Sequence, residues 1–205
     1  MIHNYIFDFG NVLARFSPED MTAEYVHDVD TAKIVCEVVF DRLYWDKLDN
    51  GSIADDEVKA GIRSRLPMEL HQSACAIYEH WVELLPLIDG MRDLVLDIKN
   101  RGGKLFLLSN ISIGFAEIYE KNPAVSELLA YFDGLVFSGP LGLVKPSREI
   151  FDHLLNSYDL KAEECLFIDD SPLNTVGAQA VGIRSYCFDG DVQKLTTMLA
   201  GINDN

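Results

Sequence analysis

Five short runs of almost unbroken apolar residues punctuate the chain: YIFDF at 5–9, KLFLLSN at 104–110, GLVFS at 134–138, CLFID at 165–169 and SYCFD at 185–189. Runs of this kind, rich in Val, Ile, Leu and Phe and without polar alternation, suit strands covered on both faces, as in a parallel sheet sandwiched between helices. The intervening stretches have helical length and period, among them MRDLVLDIKN at 91–100, SREIFDHLLNSY at 147–158 and LNTVGAQAVG at 173–182. Strands alternating with helices predict a doubly wound α/β sheet.

One segment breaks the alternation. Residues 17–85 contain no strand-like run, only the helical patterns SPEDMTAEYVHDV, TAKIVCEVVFDRLYWDKL, SIADDEVKAGIRSRL and MELHQSACAIYEHWVELL. Asp49-Asn50-Gly51-Ser52 reads as a turn with a helix N-cap, and Pro67 and Pro86 mark further boundaries. The expectation is a four-helix insertion, residues 17–85, between the first strand and the remainder of an α/β core made of 1–16 and 86–205. At 205 residues the chain is long enough for such a core with a smaller inserted unit. No internal repeat or low-complexity tract is present, and the tail GINDN at 201–205 reads as frayed.

Polar residues end the apolar runs: Asp8 in the first, then Ser109, Ser138, Asp169 and Asp189. In an open parallel sheet the C-terminal strand edge is where ligands bind, because strand ends and helix N-termini converge there. Each residue alone also suits a turn or an N-cap; together they favour a site. Asp8 is placed to attack an electrophile or bind a cation, and Asp169-Asp170 ends a later strand. Three carboxylates in one crevice repel one another unless a cation joins them, and hard oxygen ligands with room for water suit Mg²⁺. Lys145, in the loop GPLGLVKP, supplies further positive charge, while Ser109 and Asn110 bring a hydroxyl and amides to the same edge, as a phosphoryl group requires.

The charge balance limits the partners. With 33 acidic and 17 basic residues the formal charge is −16, which opposes binding to nucleic acid or an anionic membrane surface. No apolar run approaches the roughly 20 residues of a membrane span, and MIHNYIFDFG enters strand-like sequence without a basic segment or cleavage site, so a cytoplasmic location is expected. Cys36, Cys75, Cys165 and Cys187 are widely spaced among apolar neighbours and read as small buried hydrophobes. His3, His27, His71, His80 and His153 are scattered and read as structural or surface residues.

Four segments in order, FDFGNVL (7–13), LLSN (107–110), Lys145 in GLVKPSREIF, and LFIDDSPLNTVGAQAVG (166–182), resemble the motifs of the haloacid dehalogenase (HAD) superfamily of hydrolases across nearly the whole chain. The helical insertion looks like the cap of its subfamily of small-molecule phosphatases, phosphoglucomutases and 2-haloacid dehalogenases. FDFGNVL is most similar to the branch that includes a bacterial α-glucose-1-phosphate phosphatase. The resemblance implies a HAD-like (Rossmannoid) core and assigns roles. Asp8 would be the nucleophile that becomes an aspartyl phosphate. Ser109, with the Asn110 amide beside it, would hold a phosphoryl oxygen, and Lys145 would neutralise charge between Asp8 and the phosphoryl group. Asp170 would bind Mg²⁺ with the Asp8 carboxylate and the Gly10 carbonyl, with Asp169 joining them or orienting a bound water and Asn174 in support.

Most phosphatases of this superfamily carry a second aspartate two residues after the nucleophile, as leaving-group acid; here Gly10 occupies that position. A positioned acid or base is typically worth about 10²- to 10⁴-fold in rate. Three readings follow: a Mg²⁺-dependent phosphatase for a small phosphorylated metabolite, with sugar phosphates foremost; a dehalogenase, whose halide leaves without a proton; or a HAD-fold binding protein. Within the insertion, Trp45-Asp46 and Trp81 either line the pocket or fill the core, and Arg15 either meets a substrate anion or is solvated. Oligomeric state is left open between monomer and homodimer.

Overall fold

The computed structural model describes residues 1–202, so the reading of the GINDN tail falls largely outside the described residues. Strand β1 (Asn4–Phe7) is followed by helices α1 (Pro18–Ala23), α2 (Val29–Val39), α3 (Arg42–Asp49), α4 (Asp55–Arg65) and α5 (His71–His80). Then come α6 (Met91–Asn100), β2 (Lys104–Ser109), α7 (Ile113–Ile118), α8 (Pro123–Leu129), β3 (Gly134–Phe137), α9 (Ser138–Leu141) and α10 (Arg148–Ser157). The chain closes with β4 (Cys165–Asp169), α11 (Pro172–Ala180), β5 (Arg184–Cys187) and α12 (Val192–Ile202). All five sheet strands are parallel, in the order β3-β2-β1-β4-β5. The predicted doubly wound α/β core is what forms.

Side-chain alternation explains why the strands read as unbroken apolar runs. Tyr5 and Phe7 of β1, Leu105 and Leu107 of β2, and Leu166 and Ile168 of β4 pack on one face of the sheet with Leu94 and Val95 of α6 and Leu195 of α12. Ile6, Phe106, Leu108 and Phe167 pack on the other, with Ile150, Phe151 and Leu154 of α10. Both faces of the central strands are covered, so apolar residues occupy both parities of β1, β2 and β4.

The register fixes the polar edge of the sheet. Phe7 of β1 lies opposite Leu107 of β2 and Ile168 of β4, so the next residues, Asp8 and Asp169, emerge side by side from adjacent strands. The Asp8 amide donates to the Ile168 carbonyl at 2.9 Å and continues the ladder one step. β2 and β3 run to one side of β1, whereas β4 and β5 run to the other. The gap between β1 and β4 is therefore a topological switch point, where ligands bind in folds of this type.

Between β1 and α6 the chain is helical, as expected, but with five α-helices in place of four. The pattern TAKIVCEVVFDRLYWDKL is two helices, because the Asp41 carboxylate accepts the Leu43 amide at 2.9 Å and N-caps α3, halting α2 at Val39. SPEDMTAEYVHDV keeps only the six residues of α1, since Asp28 opens α2 by accepting the Thr31 amide at 2.9 Å. The turn at 49–52 forms as predicted, with Gly51 at φ +68° and Ser52 donating its amide to Asn50 Oδ1. The residue capping α4 is Ala54, without a side-chain bond. This helical block has a core of its own, built on Val35, Val39, Val58, Ile62, Ala74 and Ile77, all fully buried.

A buried asparagine ties the end of the helical block to the α/β core. Asn122 Nδ2 donates to the carbonyls of Val82 (3.0 Å) and Leu85 (2.9 Å), while its Oδ1 accepts the Val125 amide at 3.2 Å and caps α8. Asn122→Ala leaves the Leu85 carbonyl and the Val125 amide without partners and removes one of two bonds to the Val82 carbonyl, and is expected to lower unfolding free energy by about 2–4 kcal/mol in urea titrations. A loss below about 0.5 kcal/mol, the level of ordinary surface substitutions, contradicts this account of the junction.

Candidate active site

Lys145 is the centre of the site. Its Nζ lies 2.7 Å from Asp8 Oδ1 and 2.7 Å from Asp169 Oδ2, and the side chain is 1% exposed. Burial works against its charge, but the two carboxylates outweigh burial and hold its pKa above the ordinary lysine value. The loop that carries it is fixed by Asn110, whose Oδ1 accepts the Lys145 amide at 2.8 Å and whose Nδ2 donates to the Lys145 carbonyl at 3.0 Å. The Asn110 carboxamide is thus occupied in placing the lysine, alongside the phosphoryl-facing position expected for it.

The two buried aspartates differ in what remains free. Asp169 is saturated: Oδ1 accepts the Ser171 amide (2.8 Å) and Asn174 Nδ2 (3.0 Å), and Oδ2 accepts Lys145 and, at 3.1 Å, the same Asn174 amide. Asp8 Oδ1 is likewise engaged, by Lys145 and by the Phe9 amide at 2.7 Å, whereas Oδ2 has no partner among the described residues. That oxygen is free to meet a cation or an electrophile. Burial is the main reason the Asp8 pKa rises to about 6; Lys145 opposes the rise and Asp169 adds to it.

Asp170 completes a carboxylate triad, with one oxygen from each of Asp8, Asp169 and Asp170 within 4.8 Å of one another. Its pKa is raised by burial and by Asp169, and is opposed by a hydrogen bond from Asn11 and by Lys145. Hard anionic oxygens, one of them uncommitted, fit a divalent cation of the Mg²⁺ type. The Gly10 carbonyl, on the same loop, accepts no hydrogen bond among the described residues and is a further available oxygen. The donor set therefore fits the metal, with Asp8, Asp170 and Gly10 offering open positions and Asp169 already committed to the lysine.

Asp8, Gly10 and Asp170 line a cleft of about 240 Å³ between the sheet edge and the helical block, with Lys145 and Asp169 buried behind them. Ser109, buried and with its hydroxyl unpartnered among the described residues, lines it beside Asn110 and Asp8. Opposite stand Phe16, Phe40, Trp45 and Trp81, packed ring on ring with centroids 5.1–5.8 Å apart. Both tryptophans thus line the cleft while also filling the joint between the two cores. Asp46 lies outside the wall, exposed and paired with Arg42 at 2.9 Å. Arg15 is exposed and borders other surface hollows, and Asp189 falls two residues beyond β5, paired with Lys194. A larger hollow of about 350 Å³ lies at the opposite end of β1, where Asp97 and Arg101 already pair with each other at 2.9 Å.

Three polar cleft residues, Asn11, Arg42 and Asp49, were assigned no role from the sequence, although Asn11 lies within FDFGNVL. Asn11, in the left-handed region at φ +54°, accepts the Phe16 amide with its Oδ1 and hydrogen-bonds Asp170. Asp49, the last residue of α3, lines the cleft from the helical block. In the sequence it appears only as part of the DNGS turn.

Known proteins resemble this chain in sequence and fold. The sesquiterpene phosphatase astK of Aspergillus oryzae is 27% identical over 87% of this chain and 85% of its own length. The D-ribitol-5-phosphate phosphatase of Bacteroides thetaiotaomicron is 26% identical over 97% of this chain and 99% of its own. The magnesium complex of a HAD family enzyme from Bacteroides thetaiotaomicron superposes with a TM-score of 0.73 at 26% identity, covering 95% of this chain and 98% of that one. The family model described as haloacid dehalogenase-like hydrolase matches residues 2–182, and with that match over most of its length the chain belongs to the haloacid dehalogenase-like hydrolases.

Proposed function

We propose that this protein is a Mg²⁺-dependent phosphatase of small phosphorylated metabolites that works through an aspartyl phosphate on Asp8. The observation that carries the reading is the half-engaged Asp8 carboxylate: Oδ1 is fixed by Lys145 and the Phe9 amide, and Oδ2 is open to the cleft beside Asp170. A nucleophile held by one oxygen and free at the other is positioned for in-line attack with little reorganisation. Lys145 offsets the charge that gathers as phosphoryl and carboxylate approach, and Ser109 offers a hydroxyl to a phosphoryl oxygen. Asp8, Asp170 and the Gly10 carbonyl would hold Mg²⁺, which when bound would supply positive charge toward the phosphoryl oxygens. The relatives' activities on ribitol phosphate and on sesquiterpene phosphates, and the magnesium bound by the structural neighbour, support this reading.

Residues 17–85 act in this proposal as the cap over a core of 1–16 and 86–205. Their separate hydrophobic core and the aromatic wall they share with Phe16 support the division. The wall presents ring faces to the leaving group, which suits the CH-rich faces of a sugar or polyol phosphate. Sugar phosphates are therefore the first substrate class to test, and prenyl phosphates the second.

Three outcomes separate the readings. Phosphate release from p-nitrophenyl phosphate and a sugar-phosphate panel is expected to need Mg²⁺, to stop with EDTA, and to fall by more than about 10³-fold in Asp8→Asn. EDTA-insensitive turnover of 2-haloacids would point to a dehalogenase, and ligand binding without turnover to a binding protein. Trp45→Ala is expected to raise KM for the best sugar phosphate by about 5- to 30-fold, equivalent to 1–2 kcal/mol of binding. Inhibition by inorganic phosphate is expected to stay unchanged, because that anion is held at Asp8 and Lys145; an equal weakening of both contradicts the assignment of the wall.

A further inference from the structure

Expelling an alcohol from a phosphate ester requires a proton, and the groups at the sheet edge do not provide one. Gly10 has no side chain; Asp169 is saturated by four hydrogen bonds; Lys145 is shared between two carboxylates. Asp8 must attack, and Asp170 faces the metal position. Of the remaining cleft residues, Arg42 stays charged and already pairs with Asp46. Asp49 remains.

We propose that Asp49, reaching the cleft from the cap, is the general acid and base of the phosphatase reaction on which this assignment rests. Its carboxyl oxygens take no hydrogen bond or ion pair among the described residues, although the residue lines the same cleft as Asp8, Gly10 and Ser109. Its backbone is pinned to the core. The Asp49 carbonyl accepts the hydroxyl of Ser138, fully buried just after β3, at 2.5 Å, and the same hydroxyl accepts the Ile111 amide at 2.7 Å. Ile111 follows Ser109 and Asn110, so the strand loop that holds the phosphoryl group also positions the cap carboxyl. The neighbouring turn is held as closely: a Cβ on Gly51 would lie 2.3 Å from the Gly139 carbonyl oxygen.

The electrostatics fit the role. Burial lifts the Asp49 pKa to about 6; Arg42 and Lys145 oppose the rise, and Asp46 and Asp8 add to it. A carboxyl titrating near there exists in both forms at neutral pH, as a group that gives and takes back a proton must. In the first step Asp8 Oδ2 bonds to phosphorus, the bond to the leaving oxygen breaks, and its electron pair takes the Asp49 proton, releasing the alcohol. In the second, water attacks the phosphorus of the aspartyl phosphate while the Asp49 carboxylate takes its proton. The phosphorus–Asp8 bond then breaks, releasing phosphate and restoring both residues.

Asp49→Asn keeps the shape and removes the proton. In single-turnover measurements, alcohol release from the fastest alkyl phosphate of the panel is expected to fall about 10²- to 10⁴-fold, while the p-nitrophenolate burst, which needs no proton, stays within about threefold. Adding Gly10→Asp to Asp49→Asn is expected to recover at least about tenfold of the alkyl-phosphate rate, a rescue that a merely structural role does not give. A Cβ at Gly10 meets nothing within 4 Å, so the introduced carboxyl has room. Equal losses with both leaving groups, or no loss with either, overturn the assignment and leave the phosphatase reading standing. Wild-type protein that releases no phosphate from any ester overturns both.

Discussion

Two carboxylates placed side by side by a parallel strand pair need a cation between them, and that need organises this molecule. Because Phe7 faces Ile168, Asp8 and Asp169 leave adjacent strands together, in a position almost without water. Lys145 answers both at 2.7 Å, and removing one partner from a buried ionic group of this kind typically costs about 3–5 kcal/mol. The loop from β3 to α10 must therefore dock for the sheet edge to be stable; Asn110 holds that loop through the Lys145 backbone, and Asn174 holds the Asp169 carboxylate that the lysine meets.

The core was legible because burial on both faces leaves unbroken apolar runs, and the residue that ends such a run is conspicuous. Asp8, Ser109 and Asp169 stood out on this ground, and the spacing of the motifs singled out Lys145. Asp189 was conspicuous for the same reason, yet β5 stops at Cys187 and the aspartate pairs with Lys194 on the surface. The break between α2 and α3 was hidden because apolar spacing continues across Phe40-Asp41, and only the Asp41 side chain, turned back on Leu43, ends the helix. Asn122 and Asp49 gave no signal of their own. Their roles arise from contacts between segments 37 and 89 residues apart, which no local pattern encodes.

The distribution of chemistry between the two bodies follows from Gly10. In the proposed scheme the core keeps the nucleophile, the cation-binding oxygens and the lysine, all on strand ends and the loops that follow them. Proton transfer, in the proposed scheme, belongs to the cap. A site divided in this way is complete only when the helical block is seated on the sheet edge, so that closure and chemistry are linked without any moving part beyond the joint itself.

Part of that joint is the Asp49 carbonyl held by the Ser138 hydroxyl, with the backbone of Gly51 packed against the Gly139 carbonyl. Neither of these contacts involves the aromatic residues of the cleft wall. In the proposed scheme, Phe40 and Trp45 shape the cleft for the carbon skeleton of a substrate, whereas the reach of the acid is set by this seam. Selection of the skeleton and protonation of the leaving group then rest on different contacts of one helical block.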